Sequence, residues 1–247
     1  MSKEDEILAC ARSLFDVVGI ARDPSSKNSI LILGLVTTPE RDLDDFVLQE
    51  MKGGRESFWR GFIRYAKPKL DALLDFIRKQ GFTAELVGKM GYSPSGRPNL
   101  KHLAVTAGLG RQGKNTLVIN PRFGPWLRFM AIRTNAPLAV TGSGKYVKEE
   151  NPDCTACQKC VEACPVGILK PYRLTDIIRC LAAISGERRG ELAICDKCVV
   201  VCPVGERRSP QAPEIKRGKC SNAQTRKYYV IARSPPLAGD VAISRVC

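Results

Sequence analysis

Cys154, Cys157 and Cys160 stand three residues apart, Cys164 follows after three intervening residues, and Pro165 closes the run. This C-x2-C-x2-C-x3-C-P spacing is that of a loop built around a four-iron, four-sulfur cluster. A compact loop with a thiol at every third residue presents three sulfurs to three corners of a cube, and its backbone amides point at the anionic core. The fourth cysteine, just before the proline, is carried onto the following turn, and where two clusters are present it serves the other one. A second run is therefore predicted.

That run is Cys195-Asp196-Lys197-Cys198-Val199-Val200-Val201-Cys202-Pro203. Laid over the first, it supplies the last three cysteines, while Leu192 occupies the place of the first. Cys180 is the only cysteine between the runs and is assigned to fill the gap. Crossed ligation then gives Cys154, Cys157, Cys160 and Cys202 to one [4Fe-4S] cluster and Cys164, Cys180, Cys195 and Cys198 to the other. Zinc is the competing metal, but it favours paired ligands with longer spacers and often histidine, and the single histidine, His102, is distant in sequence. Disulfides compete less well: the chain has an odd total of eleven cysteines and shows no signal peptide. Both features lead us to expect reduced thiols and a cytoplasmic protein.

The 247 residues, 44% of them hydrophobic, can bury a sizeable core as one or two domains. The longest apolar run, Ile30 to Val36, is too short to cross a bilayer, so no membrane association is expected. Lys and Arg exceed Asp and Glu by 39 to 25, a net charge of +14. That excess suits nucleic acid, anionic cofactors or acidic redox partners, and part of it balances the charge of the clusters.

Of the elements that must position the cysteines, residues 4 to 18 read as a helix that Gly19 ends, with Cys10 a buried thiol on its apolar face. Ile30 to Val36 reads as a core strand covered on both faces. Residues 55 to 79 read as a long amphipathic helix that Pro68 kinks or splits and Gly81 stops. Thr83 to Val87 is a short strand. Leu117-Val118-Ile119 and Leu127 to Arg133 complete the sheet across the Pro121 to Pro125 turn. The fold class is α/β: an N-terminal sandwich-type domain (1–147), a bacterial-ferredoxin-like two-cluster module (148–210) and a basic tail (211–247). The polar, glycine-rich stretch 141–150 marks the boundary. Within the module, Leu174 to Ile184 is expected to be a helix carrying Cys180 inward. In the tail, Lys227 to Ala232 reads as a strand, and Cys220 and Cys247 as free thiols.

Between the helix from Lys101 and the strand at Leu117 lie Gly108, Leu109, Gly110, Arg111, Gln112, Gly113, Lys114 and Asn115. The three glycines follow a helix, so they are not a dinucleotide fingerprint, which follows a strand and opens a helix. They mark a tight turn where backbone approaches something closely, beside Arg111 and Lys114. The plain alternative is a helix cap and turn packed against the sheet.

The Ala107 to Asn115 segment, the strand end Arg133-Thr134-Asn135-Ala136-Pro137-Leu138 and the cysteine order, over roughly residues 85 to 205, resemble the epoxyqueuosine reductases and, more remotely, the corrinoid reductive dehalogenases. The resemblance implies an α/β domain that binds cobalamin in base-off form, with two clusters delivering electrons to its cobalt. It also implies that Gly108, Leu109, Gly110, Gly113, Lys114 and Asn115 lie against the corrinoid and that the cluster on Cys164, Cys180, Cys195 and Cys198 is the nearer one. Where those reductases carry an aspartate as proton donor, this chain reads Gly91-Tyr92-Ser93-Pro94-Ser95-Gly96-Arg97-Pro98-Asn99, without an acid. Tyr92 is the residue able to replace it as the catalytic donor, its ordinary alternative being a half-buried tyrosine.

The expectation is an oxidoreductase or reductive activator passing electrons through two clusters to a corrinoid or substrate in the N-terminal cleft. Its partners would be an electron donor such as a ferredoxin or flavodoxin, and tRNA or another anionic substrate. A ferredoxin-type carrier that docks a partner protein, without corrinoid, is the alternative.

Overall fold

The computed structural model describes residues 2–45, 47–51, 54–89, 99–146, 151–182, 186–188, 191–193 and 195–205. It is a mixed α/β structure. Helix α1 (Lys3–Leu14) opens the chain with a capping box between Ser2 and Asp5 and acids in its first turn, where they suit the helix dipole. It ends earlier than its periodicity predicts. Phe15 is already extended, and Val17–Arg22 form strand β1, with Gly19 in the strand and not at a helix end. The β-branched pair Val17-Val18 favours the strand. Asp16 fixes the switch, its N–H donating to Gly34 O (3.0 Å) and its carboxylate accepting from Val36 N–H (2.7 Å).

Strand β2 (Ser29–Val36) is the central apolar run, helix α2 (Lys67–Lys79) follows, and strand β3 (Ala84–Lys89), helix α3 (Leu100–Thr106) and strand β4 (Leu127–Thr134) complete the N-terminal layers. The four strands form one antiparallel sheet in the order β1-β2-β4-β3. Alternation along β2 explains why every residue from Ser29 to Leu35 is buried: Leu31, Leu33 and Leu35 meet α1 and α2 on one face, while Ile30 and Ile32 meet α3 on the other. The sheet thus lies between helices, as expected for a strand hidden on both sides.

Residues 55 to 79 are not one helix. Gly54–Phe58 pairs with Val47–Met51 as a hairpin, Phe62–Ala66 make a π-helical turn, and α2 begins only at Lys67, with Pro68 in its first turn. Proline suits that place because the first amides of a helix have no intrahelical acceptor. Gly81, at φ +93°, ends the helix as predicted. Leu127–Thr134 joins the sheet, but Val118–Ile119 pairs instead with Arg111–Gln112 in a separate two-stranded ladder. Two residues are too few to continue a sheet whose edge is already formed.

In the C-terminal part, helix α4 (Lys159–Glu162), helix α5 (Ile177–Ala182) and helix α6 (Lys197–Val200) are short. Of the helix expected over Leu174 to Ile184, Ile177–Ala182 form α5, Leu174 pairs instead with Leu169 in a small ladder, and residues 183 and 184 lie outside the described residues. Tyr92, part of the 141–150 boundary stretch, the tail strand, Cys220 and Cys247 lie outside the described residues. Cys10 is buried in the core beneath α1 and α2, as expected. Among the described residues no helix is long and apolar enough to cross a membrane.

Candidate metal centre

The two cysteine runs repeat one local structure. Cys157, Cys160 and Cys164 recur 38 residues later as Cys195, Cys198 and Cys202. Each run places one cysteine just before a four-residue helix, one inside it and one just after it. The residue before each helix has the same backbone shape, Gln158 at φ −121°, ψ 0° and Asp196 at φ −111°, ψ 10°. So has the residue after it, Ala163 at φ −74°, ψ −6° and Val201 at φ −81°, ψ −6°. The first run has one addition. Asn151 accepts from Asp153 N–H (3.1 Å) and caps the 3-10 turn Pro152–Cys154, which brings in Cys154. The Asn151 amide is buried and its Nδ2 has no acceptor among the described residues.

The sulfurs sort into two sets. Burial pushes the Cys160 thiol up, and the neighbours that push it further are Cys154, Cys157 and Cys202. Burial also raises Cys202, against the Val204 N–H, and Cys154, Cys157 and Asp153 add to the rise. On the other side, burial and then Cys195 and Cys164 raise Cys180, with Lys101 opposing. Cys198 is driven up to about 12 by burial and then by Cys195, Cys160, Cys180 and Cys164. Only Cys160, reaching Cys198, crosses between the sets. Cys160, Cys180, Cys198 and Cys202 hold on to their protons because they are buried beside other sulfurs whose thiolates would repel theirs. A cationic iron core would let such thiols ionise, since metal binding displaces thiol protons.

Cys164 behaves in the opposite sense. Burial raises it, but the backbone N–H groups of Val166, Ile168, Leu169 and Gly167 outweigh burial and bring it below the ordinary thiol value. Amides beside a sulfur favour its thiolate, the form that ligates a metal. Cys154, Cys157, Cys160 and Cys202 line one cavity, together with Lys114, Asn115, Ile119, Asp153 and Lys159. Among the described residues no three His, Cys, Asp or Glu side chains are grouped to hold a lone metal ion. In a cube each thiolate caps a different iron, so its sulfurs need not meet at a point. The donor sets fit cubanes.

The glycine segment positions these loops. Lys114, 6% exposed, donates from Nζ to Thr155 O (3.1 Å) and Cys157 O (3.0 Å) in the first run. Asn115, 5% exposed, donates from Nδ2 to Cys198 O (3.2 Å) in the second. Gln112 donates to Tyr172 O, and Tyr172 N–H donates to Lys114 O (3.0 Å). Arg111 is exposed, so the two cations of the segment face different ways. The partner that the glycines approach is the chain itself. A Cβ on Gly108, which has φ +77°, would stand 3.2 Å from Gly142 Cα, and one on Gly110 would stand 2.4 Å from Ile119 O. One on Gly113 would stand 2.6 Å from Ile119 Cγ1, and Leu109 is buried in the core under α3. The close neighbours of these three glycines are thus Thr141, Gly142, Val118, Ile119 and Asn115 of the chain.

Some positioning residues carry no motif. The turn after Asn120 brings Gly124 against the end of the second run, where its Cβ would be 2.1 Å from Val204 O, and Gly205 packs back on Gly124. Lys101 on α3 is half-buried, and burial lowers its pKa against the pull of Cys180 and Cys198. The Asn-Pro-Asp triplet before Cys154 is a cap signature readable from sequence; the Gly124–Gly205 approach is not.

No protein-family model matches the chain. It is 31% identical over 169 residues to an epoxyqueuosine reductase of Synechocystis sp., covering 68% of this chain and 54% of that protein. It is 37% identical over 91 residues to a tetrachloroethene reductive dehalogenase of Dehalobacter restrictus, covering 36% and 15%. The chain thus spans about half, or less, of the curated relatives it matches. Among solved structures, the epoxyqueuosine reductase of Bacillus subtilis superposes with a TM-score of 0.57 at 19% identity, over 87% of this chain and 68% of that one. An epoxyqueuosine reductase crystallised with a modified tRNA stem loop gives 0.55 at 18%, over 84% and 68%. A reductive dehalogenase described in terms of B12-dependent dehalogenation gives 0.51 at 18%, over 80% and 31%. In sequence this chain is epoxyqueuosine reductase-like, with a further likeness to the reductive dehalogenases, and its fold is similar to that of both groups.

Proposed function

We propose that this protein is an oxidoreductase that holds two [4Fe-4S] clusters by crossed ligation and passes electrons to an acceptor at its N-terminal domain. The observation that carries the reading is that Cys202, from the second run, lines one cavity with Cys154, Cys157 and Cys160 of the first; the neighbours that raise Cys180, namely Cys195 and Cys164, point the same way for the other set. Such clusters, when bound, take up and release single electrons at potentials set by charge, hydrogen bonding and exposure. The residues of the chain do the rest. The amides after Cys164 favour its thiolate, Asn115 holds the second run, and Lys114 holds the first. Thiols that must stay reduced suit a reducing compartment such as the cytoplasm, and the donor would be a small redox protein such as a ferredoxin or flavodoxin.

Crossed ligation has a sharp test. In anaerobically reconstituted protein, Cys202→Ser should abolish the same paramagnetic signal as Cys154→Ser, although the two residues lie in different runs. Cys164→Ser should abolish the other signal. If Cys202→Ser instead silences the signal that Cys195→Ser silences, each run serves its own cluster and the assignment is wrong.

The acceptor is the open part of the reading. A base-off corrinoid is favoured by the likeness to a B12-dependent dehalogenase, and tRNA by the likeness to a reductase crystallised with a tRNA stem loop. Adding cobalamin to the reconstituted protein should produce the base-off absorption change, and an unchanged spectrum would leave the carrier alternative. Tyr92 is proposed as proton donor on sequence grounds alone.

A further inference from the structure

Lys114 is the buried residue of this site that cysteine ligation leaves unexplained. Its side chain is 6% exposed and lines the same cavity as Cys154, Cys157, Cys160 and Cys202. Its two acceptors, Thr155 O and Cys157 O, are neutral carbonyls that aim the ammonium without cancelling its charge. Among the described residues no carboxylate lies within ion-pair distance of it. The other charged residues of the cavity wall, Asp153 and Lys159, are exposed and can be solvated. A buried ammonium without an anion is costly, whereas beside one it is stabilised.

We propose that Lys114 is the counter-charge of an anionic metal–sulfur group held by Cys154, Cys157, Cys160 and Cys202, and that it raises the reduction potential of that group more than that of the other set. The inference rests on the two-cluster reading above. A cube bearing four thiolates is anionic, and one added electron makes it more so; a fixed cation at the cavity wall favours the more negative state. Lys114 contacts the first run and lines its cavity, so its field is strongest on the first set.

The test is an anaerobic redox titration of the full reconstituted chain, with dithionite as electron source and both clusters followed by paramagnetic resonance. Lys114→Gln keeps a donor for the two carbonyls and removes the charge; Lys114→Arg keeps the charge. We expect the midpoint potential of one signal to fall in Lys114→Gln and to return toward the wild-type value in Lys114→Arg. That signal should be the one Cys154→Ser abolishes, while the other shifts less. Unchanged potentials in Lys114→Gln, or an equal shift of both, overturn the proposal. Should Lys114→Gln take up less iron, loss of the first signal alone supports it, and loss of both with unfolding makes Lys114 a structural clamp and overturns it. Wild-type protein without iron and sulfide refutes the two-cluster reading itself, a failure distinct from unchanged potentials in a loaded variant.

Discussion

Asp23 shows how the sheet is fastened residue by residue. Its carboxylate accepts from the Ser25 N–H (2.9 Å), the Ser25 and Ser26 hydroxyls (2.7 and 2.8 Å) and Arg133 Nε (2.6 Å). Burial alone would raise its pKa, but the donors outweigh burial and bring it from 3.8 to about 2. A folded value below the unfolded one means that the stabilisation is full above pH 3.8 and is lost as pH falls toward about 2. The stability difference between wild type and Asp23→Asn, measured by denaturant unfolding, should therefore shrink across that window. A difference that stays constant from pH 5 to pH 2 would contradict this assignment. At this scale the cysteines were legible because ligand spacing is local, and Lys114 and Asn115 were singled out by their glycines. Their partners were not legible: Thr155, Cys157 and Cys198 lie 41, 43 and 83 residues further along the chain.

Among the elements, the runs whose neighbours are local were read well and those decided by tertiary contacts were not. The apolar run of β2, the helix before the glycine turn and the end of α2 at Gly81 followed from pattern alone. Gly19 did not, because a glycine after a helical period reads as a stop. Its place in β1 is set by what packs on it: a Cβ there would stand 2.9 Å from both Ala107 Cβ and Leu109 Cγ. The missing side chain lets the start of the glycine turn lie on the sheet, and that turn carries Lys114 and Asn115 to the cysteine loops. Gly19→Val should therefore destabilise the fold by about 1–3 kcal/mol, the usual cost of overpacking a filled core. It should also lower iron uptake in proportion to the loss of native protein. A melting temperature within error of wild type would show that the turn does not depend on this contact.

For the molecule as a whole, the excess of 39 basic over 25 acidic residues makes electrostatic association with polyanions the default expectation. If tRNA is the substrate, the logarithm of its association constant should fall steeply and linearly with the logarithm of salt concentration, and reversing the exposed Arg111 should flatten that slope. A slope near zero would favour a small-molecule or protein acceptor. The α/β layering was legible from composition and periodicity, whereas the docking of the cysteine module on the N-terminal layers was not. It depends on the distant partners of Asn115 and Lys114 and on the Gly124–Gly205 approach, none of which has a local signature. The central claim is that eight thiols from two runs interlock around two iron–sulfur cubes. It is tested most directly by iron, acid-labile sulfide, zinc and cobalt per chain after anaerobic purification. The account predicts about eight irons and eight sulfides in a brown protein. A colourless protein, or one holding zinc in place of iron and sulfide, would contradict it.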